Sequence, residues 1–461
     1  MAQTYDMTHG KVTPLILKFY FPLFFTSMLQ QIYTVADTAI VGKGIGDNAL
    51  AAVGNMSAIT FLIFGFAMGL TNGFSVSIAQ SFGAKQYEKL RHYIASAVCL
   101  AAGIAVLLTF LGTFFLKQIL TLMQTDALII QDSLTYGYIL LGGMTATIAY
   151  NLCAAILRAL GDSKTPFLAI IVSSVVNVTL DSLFVFVFKF GVAGAAIATL
   201  IAQVLSTFIC LTKLLRIDVI HLEKQDFCSN RPYFMELLTN GIPMALMNSI
   251  TAIGCIVIQF FVNGMGIPYA SAYSACNKYI NLFMQPACTA GYAASSFISQ
   301  NYGAKQYRRI KEGLKVCMSI AAIGYLIFGT AMVFFPRQLA LLMLNEEESI
   351  ALAMQYLPIS GLLLFAVDFL FVVRSAVQAM GHPTIPMISG IAEMAMRVIM
   401  VILLHDIFGF RATAIAEASA WVAAFLLNGI ALLHYLRGLF KQHPHLPFWH
   451  KHTCDSAHAN A

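Results

Sequence analysis

The stretch Gly83-Ala84-Lys85-Gln86-Tyr87 returns 220 residues later as Gly303-Ala304-Lys305-Gln306-Tyr307, with Gln80 and Gln300 each three residues ahead of it. Other landmarks keep the same order and nearly the same offset. Gly161 and Pro166 reappear as Gly381 and Pro386, Pro22 as Pro243, and the run Gly191, Ala196, Ile197, Ala198 as Gly409, Ala414, Ile415, Ala416. One chain therefore carries two related halves, roughly 1–220 and 221–461.

The material of each half is apolar. The 461 residues hold 27 Lys+Arg and 21 Asp+Glu, only 10% charged side chains, with 59% hydrophobic residues and a mean hydropathy of +0.77. A soluble domain carries about 25% charged residues, which cover its surface. The composition excludes an ordinary soluble enzyme, a disordered chain and a collagen-like fibre. The net charge of +6 is not gathered into a basic patch with interleaved aromatics, so no nucleic-acid partner is expected. The nine cysteines show no C-x-x-C spacing and read as small hydrophobes.

A membrane-crossing helix needs about 20 mostly apolar residues. Twelve segments qualify: 14–41, 49–81, 93–116, 130–157, 165–188, 191–215, 234–262, 268–300, 314–335, 350–378, 385–407 and 409–437. Each must satisfy its backbone polar groups internally, which helices do. The fold class is therefore an all-α polytopic membrane protein of 12 transmembrane helices, in two six-helix bundles around a central cavity. The expected division is a cytoplasmic N-terminus (1–13), an N-lobe (14–215), a linker (216–233), a C-lobe (234–437) and a cytoplasmic tail (438–461). Because six is even, both halves enter from the same side and the repeat is parallel. Lys and Arg fall 20 to one side and five to the other, with Lys278 and Arg397 inside spans. Positive charge collects on the cytoplasmic side, so both termini are expected there. The five histidines at 443, 445, 450, 452 and 458 read as part of a polar tail rather than a metal site.

Ionisable residues within spans are expensive and mark function by default. Asn177 and Asp181 share a face of the fifth span, with Asp181 about 10 Å from its outer end. Thr199 is about 12 Å deep on the sixth span, and Asp37 about 6 Å below the end of the first, with Tyr33 on the same face. Two carboxylates close together in a medium of low dielectric cannot both stay ionised, so the group suits H⁺. Its carboxylate, amide and hydroxyl oxygens would equally suit a hard cation such as Na⁺. No other metal and no cofactor is expected.

The second half is not a copy. Arg397 and Val401 stand where Asn177 and Asp181 stood, and Glu417 replaces Thr199. Glu393, Arg397 and Glu417 read as a polar network closed by an internal salt bridge. Lys278, about 15 Å into the eighth span, and Asp368 on the tenth are either partners of each other or substrate contacts, so they join Tyr33 as substrate-cavity candidates. The 21 Met and 35 Phe serve mainly packing, though Met-rich walls adapt to varied ligands. No Walker A sequence is present to couple ATP.

Taken together, the two halves, the paired Gly-Ala-Lys-Gln-Tyr loops, Thr34-Val35-Ala36-Asp37-Thr38 before Val41-Gly42, Arg158-Ala159-Leu160-Gly161-Asp162 and the run Gly191–Thr199 resemble multidrug and toxic compound extrusion (MATE) transporters over about residues 11–440. The resemblance implies export of cationic or amphipathic small molecules in exchange for inward H⁺ or Na⁺ by alternating access, in the cell inner (plasma) membrane, by a monomer surrounded by lipid. It is similar to the DinF-like branch, whose cation site maps onto Asp37, Asn177, Asp181 and Thr199, and whose first helix bends at a proline matched by Pro22. Asp368 resembles an acid of the other branch, but no acid stands near Ser249 and Thr251 on the seventh span. The alternative class is a flippase for a lipid-linked or amphipathic precursor, distinguished by a lipid-accessible groove and loss of transport for lipid substrates alone.

Overall fold

The structure, a computed structural model, describes residues 6–123, 125–227 and 231–442. The histidine-bearing tail lies outside the described residues. The first half folds as α1 (Val12–Gly44), α2 (Asp47–Gly83), α3 (Tyr87–Leu122), α4 (Ile130–Gly142), α5 (Met144–Ala159), α6 (Lys164–Ser182) and α7 (Gly191–Leu214). The second half folds as α8 (Arg231–Met265), α9 (Ile267–Phe283), α10 (Gln285–Gly303), α11 (Tyr307–Phe334), the short α12 (Pro336–Met343), α13 (Glu347–Ala379), α14 (Thr384–Phe408) and α15 (Arg411–Gln442). No strand occurs among the described residues.

Ten of these helices are long and apolar enough to cross a membrane, and α4 with α5 makes an eleventh across a 46° bend. The eighth expected span is α9 with α10. It is a helical pair, but its sequence is too polar to meet the same test, with Thr289, Ser296, Ser299, Gln300 and Asn301 all buried in α10. The two halves break at different places, for reasons visible in the chain. Gly142-Gly143 ends α4, where the second half has Leu362-Leu363 and α13 runs on unbroken. Pro286 lies just past the break between α9 and α10, where the first half has Phe66 and α2 stays continuous. Proline cannot donate to the helix ladder, and paired glycines weaken it. At Gly143 a Cβ would stand 2.3 Å from a Leu200 methyl, so the bend also lets α7 approach.

Each lobe has its own apolar core, around Met56, Leu116 and Leu141 in the first and around Tyr273, Tyr356 and Trp421 in the second. A third core joins the lobes, with Ile16, Phe19 and Tyr20 of α1 against Ala290, Phe297 and Val373. Outward-facing positions are apolar too, for example Phe110 on α3 and Ile402 on α14, as lipid contact requires.

The lobes meet through small residues and paired polar bonds. A Cβ on Gly69 would fall 2.7 Å from the Ala245 backbone, and one on Gly73 2.4 Å from Gly241, so α2 and α8 cross backbone to backbone. Asn240 donates to Ser77 at 2.9 Å, and Asn248 to the Gly65 carbonyl at 3.1 Å. The repeated loops close the end of the interface with local two-fold symmetry. Gln80 Nε2 donates to the Ala379 carbonyl at 2.8 Å, and Gln300 Nε2 to the Ala159 carbonyl at 2.8 Å. Gly83 and Gly303 lie so close to the opposite lobe that a Cβ would stand 1.9 Å from the Gln300 and Gln80 carbonyl oxygens respectively. Those glycines are kept for closeness rather than for backbone freedom. The left-handed conformation falls instead on Lys85 and Lys305, both at φ 57°. The segment before α1 seals the same end. Met7 is buried and its N–H donates to Gln300 Oε1 at 2.9 Å, while Arg309 donates to the Met7 and Gly10 carbonyls at 2.9 and 2.6 Å.

Candidate functional site

A cavity of about 510 Å³ opens in the N-lobe, walled by α1, α2, α4, α5, α6 and α7. Tyr33, Asp37, Asn177 and Thr199 line it, so the residues expected to work together do share one space. Asp181 lies behind the lining, fully buried, with its carboxyl within hydrogen-bonding reach of that of Asp37. Neither Asp181 oxygen receives a donor from the described residues, and neither amide atom of the buried Asn177 is paired. An unpaired buried polar group costs about 1–3 kcal/mol. Such a cluster is tolerable where a proton or a cation can satisfy it, and its oxygen donors fit either.

Local sequence explains the placement. Tyr33 and Asp37 are one turn apart on α1, and Asn177 and Asp181 one turn apart on α6. Immediately beyond Asp181 the helix widens into a π turn over Leu183–Val187. Gly44, the last residue of α1, packs on that turn so tightly that a Cβ would stand 2.3 Å from Val185. The two carboxylate-bearing helices are thus tied together just past their acids. Pro22 sits inside α1 without ending it, and Thr26 donates to the Pro22 carbonyl at 2.7 Å. A proline removes one ladder bond and leaves α1 a weak point there.

Sequence reasoning missed part of this site. Tyr136 of α4 lines the cavity and interacts electrostatically with Asp37, Asp181 and Tyr33. Thr147 donates to Gln203 in the cavity wall. An amide in mid-span at Gln203 was a readable signal, whereas one tyrosine among eighteen was not.

The C-lobe network is built differently from the expected one. Glu393 accepts from Arg397 at 2.9 Å, the i, i+4 bridge anticipated from sequence. It also accepts from Arg374 at 2.9 Å. Arg374, one of the 20 basic residues counted on the cytoplasmic side from sequence, is instead buried within α13, where Glu393 holds it. Glu417 takes its bond from the Tyr356 hydroxyl and not from an arginine. Asp368 is fully buried, and both its oxygens lack a donor among the described residues. Lys278 is exposed on α9 and forms no ion pair with Asp368, so the pairing considered from sequence is not formed. The depth of Lys278 along its helix was legible; which face of α9 it occupies was decided by packing.

The MatE family pattern matches twice, at residues 22–183 and 243–403. The chain belongs to the MATE family. Its members are membrane transporters rather than enzymes, and the two matches fall on the two halves read from the repeated loops. The chain is 30% identical over 354 residues to the probable multidrug resistance protein YoeA of Bacillus subtilis, covering 74% of this chain and 76% of that protein. It is 27% identical over 450 residues to the probable multidrug resistance protein YpnP of the same organism, covering 94% and 97%. Among solved structures, a MATE crystal structure in complex with MaL6 superposes with a TM-score of 0.89 at 22% identity, covering 96% of this chain and all of that one. That likeness shows the fold, two lobes of membrane-spanning helices.

Proposed function

We propose that this MATE-family chain is a secondary active multidrug efflux transporter, which exports cationic or amphipathic small molecules in exchange for inward H⁺ or Na⁺. The observation that carries the reading is the Asp37–Asp181 contact beside Asn177, held in a cavity and short of donors. Such a cluster has one affinity for a proton or cation when α1 and α6 hold it together and another when they part. Coupling needs that difference, because an ion that binds two states equally shifts neither.

With the cavity open to the outside, Asp37 and Asp181 take up H⁺ or bind Na⁺ with Asn177 and Thr199, and cargo leaves. Loss of negative charge frees α1 to bend at Pro22. The lobes rock, the ion leaves to the cytoplasm and new cargo enters against Tyr33 and the aromatic wall. No cofactor beyond the coupling ion takes part, and the working unit is a monomer in lipid. The lobes are sealed at the Gly83 and Gly303 end, which the asymmetry of Lys and Arg makes cytoplasmic. Both termini then lie on the cytoplasmic side of the inner (plasma) membrane, and the described arrangement is open outward. Kinship with the DinF-like branch rests on Asp37, Asn177, Asp181 and Thr199.

The test is dye efflux from proteoliposomes under separately imposed pH and Na⁺ gradients. Ion-driven flux should fall at least tenfold in Asp37→Asn and in Asp181→Asn, with folding intact by thermal unfolding. Full ion-driven flux in both variants rejects the coupling assignment. Transport confined to lipid substrates favours a flippase.

A further inference from the structure

Among the described residues, the buried acids of the C-lobe spans have their places. Glu393 is held by Arg374 and Arg397, Glu417 by Tyr356, and Asp368 is sealed at 0% exposure. Lys278 remains, exposed and with no carboxylate in ion-pair range among the described residues. Its surroundings say which way it faces. One side of α9 is packed into the C-lobe core through Tyr273, Cys276, Tyr279 and Ile280. The opposite face carries Ser271, Ser274, Asn277, Lys278 and Asn281, all exposed or half-exposed, between the exposed Ile267 and Leu282 at its two ends. Lipid-facing helices look different: the exposed positions of α14 include Ile388, Ile391, Ile399, Ile402, Leu403 and Ile407. A face of serine, asparagine and lysine set in hydrocarbon would cost several kcal/mol, whereas the same face on a watered cleft costs little.

The cross-lobe hydrogen bonds reach from the sealed end only as far as Asn248 and Gly65. Asn248 lies 17 residues from the far end of α8 and Lys278 11 residues from that of α9, so in depth Lys278 lies about 9 Å beyond the last cross-lobe hydrogen bond. Pro286 breaks the α9–α10 pair a turn or two further in. Broken, polar spans near the midplane are where transporters of duplicated design hold their cargo.

We propose that Lys278 is a specificity residue that binds an anionic group on the cargo, a carboxylate, sulfonate or phosphate on an aromatic amphiphile. The asparagines and serines of the same α9 face donate the accompanying hydrogen bonds. The N-lobe acids, tied to one another, serve the coupling ion, and Lys278 selects cargo charge. A compound with negative charge or with both charges is then preferred over a purely cationic one of equal size. This rests on reading the chain as an exporter, and its test does not need export to be working.

The experiment uses two xanthene dyes of similar skeleton and opposite charge, carboxyfluorescein and rhodamine 6G. Binding to the purified full-length protein is read by fluorescence polarisation, and transport separately in proteoliposomes. Carboxyfluorescein should bind, more weakly as salt rises, and Lys278→Gln should lower its affinity about tenfold or more, worth about 1.4 kcal/mol. Lys278→Arg should restore it, and rhodamine 6G binding should be unchanged or stronger in Lys278→Gln. The inference is overturned if the wild type does not bind carboxyfluorescein, or if Lys278→Gln weakens both dyes alike. Loss of ion-driven transport with intact, Lys278-dependent binding would instead count against the exporter reading alone.

Discussion

At the scale of single residues, what matters is whether a buried polar atom has a partner. Glu393 has two arginines, each at 2.9 Å. Removing the shared carboxylate by Glu393→Leu strands both cations, which should cost about 3–5 kcal/mol of stability, read by thermal unfolding in detergent. Tyr356→Phe removes the donor to Glu417, and a loss of about 1–3 kcal/mol is expected by the same measurement. An unchanged melting temperature in either variant would show that water reaches the network. Asp37, Asn177 and Asp181 are the contrasting case, since their unpaired atoms sit beside a cavity. Substituting Asn for either acid should leave stability level or higher while removing ion coupling. The residues of this site were legible as types and spacings, because a carboxylate in a span needs a reason. Tyr136 was not legible, since its membership depends on α4 facing α1 across the cavity.

At the scale of elements, the repeated loop is the informative piece. Gly83 and Gly303 each meet the backbone oxygen of the other half's glutamine, and backbone cannot give way as a flexible side chain can. Gly83→Ala should therefore destabilise the sealed arrangement by at least about 1–3 kcal/mol. Gly54→Ala, on the same helix with open space around it, should be neutral or slightly stabilising. Equal behaviour of the two variants in thermal unfolding and in efflux would contradict a tight lobe contact at Gly83. The glycine repeat itself was plain from sequence. Its partner was not, because the two halves are 220 residues apart and only their docking puts Gly83 on Gln300. Helix breaks were legible in part. Gly142-Gly143 and Pro286 are local signals, while the π turn over Leu183–Val187 has no glycine or proline to announce it.

For the whole molecule, one end is latched and the other is free. Gln80 and Gln300 reach across symmetrically, and the segment from Met7 to Gly10 closes over Gln300 and Arg309. Gln80→Ala with Gln300→Ala, or removal of residues 1–10, should shift the lobes toward opening at that end. Spin labels at positions 85 and 305, in a chain freed of other cysteines, should report a longer distance in both variants than in the parent. An unchanged distance distribution would mean that the α2–α8 crossing alone holds the end shut. The double glutamine variant should lose more than either single one, because each bond braces the same interface.

The sequence alone determined the class of solvent, the helical material, the duplication and the acids of the proposed coupling site. These follow from local rules: apolar length, the two-face geometry of a helix and the cost of charge in lipid. Only the tertiary structure decided that Arg374 turns inward to Glu393, that Lys278 forms no pair with Asp368, and which end of the two lobes is sealed. Those outcomes depend on the rotation and docking of helices hundreds of residues apart. A helix's own sequence fixes which residues share a face, but only its neighbours fix where that face points.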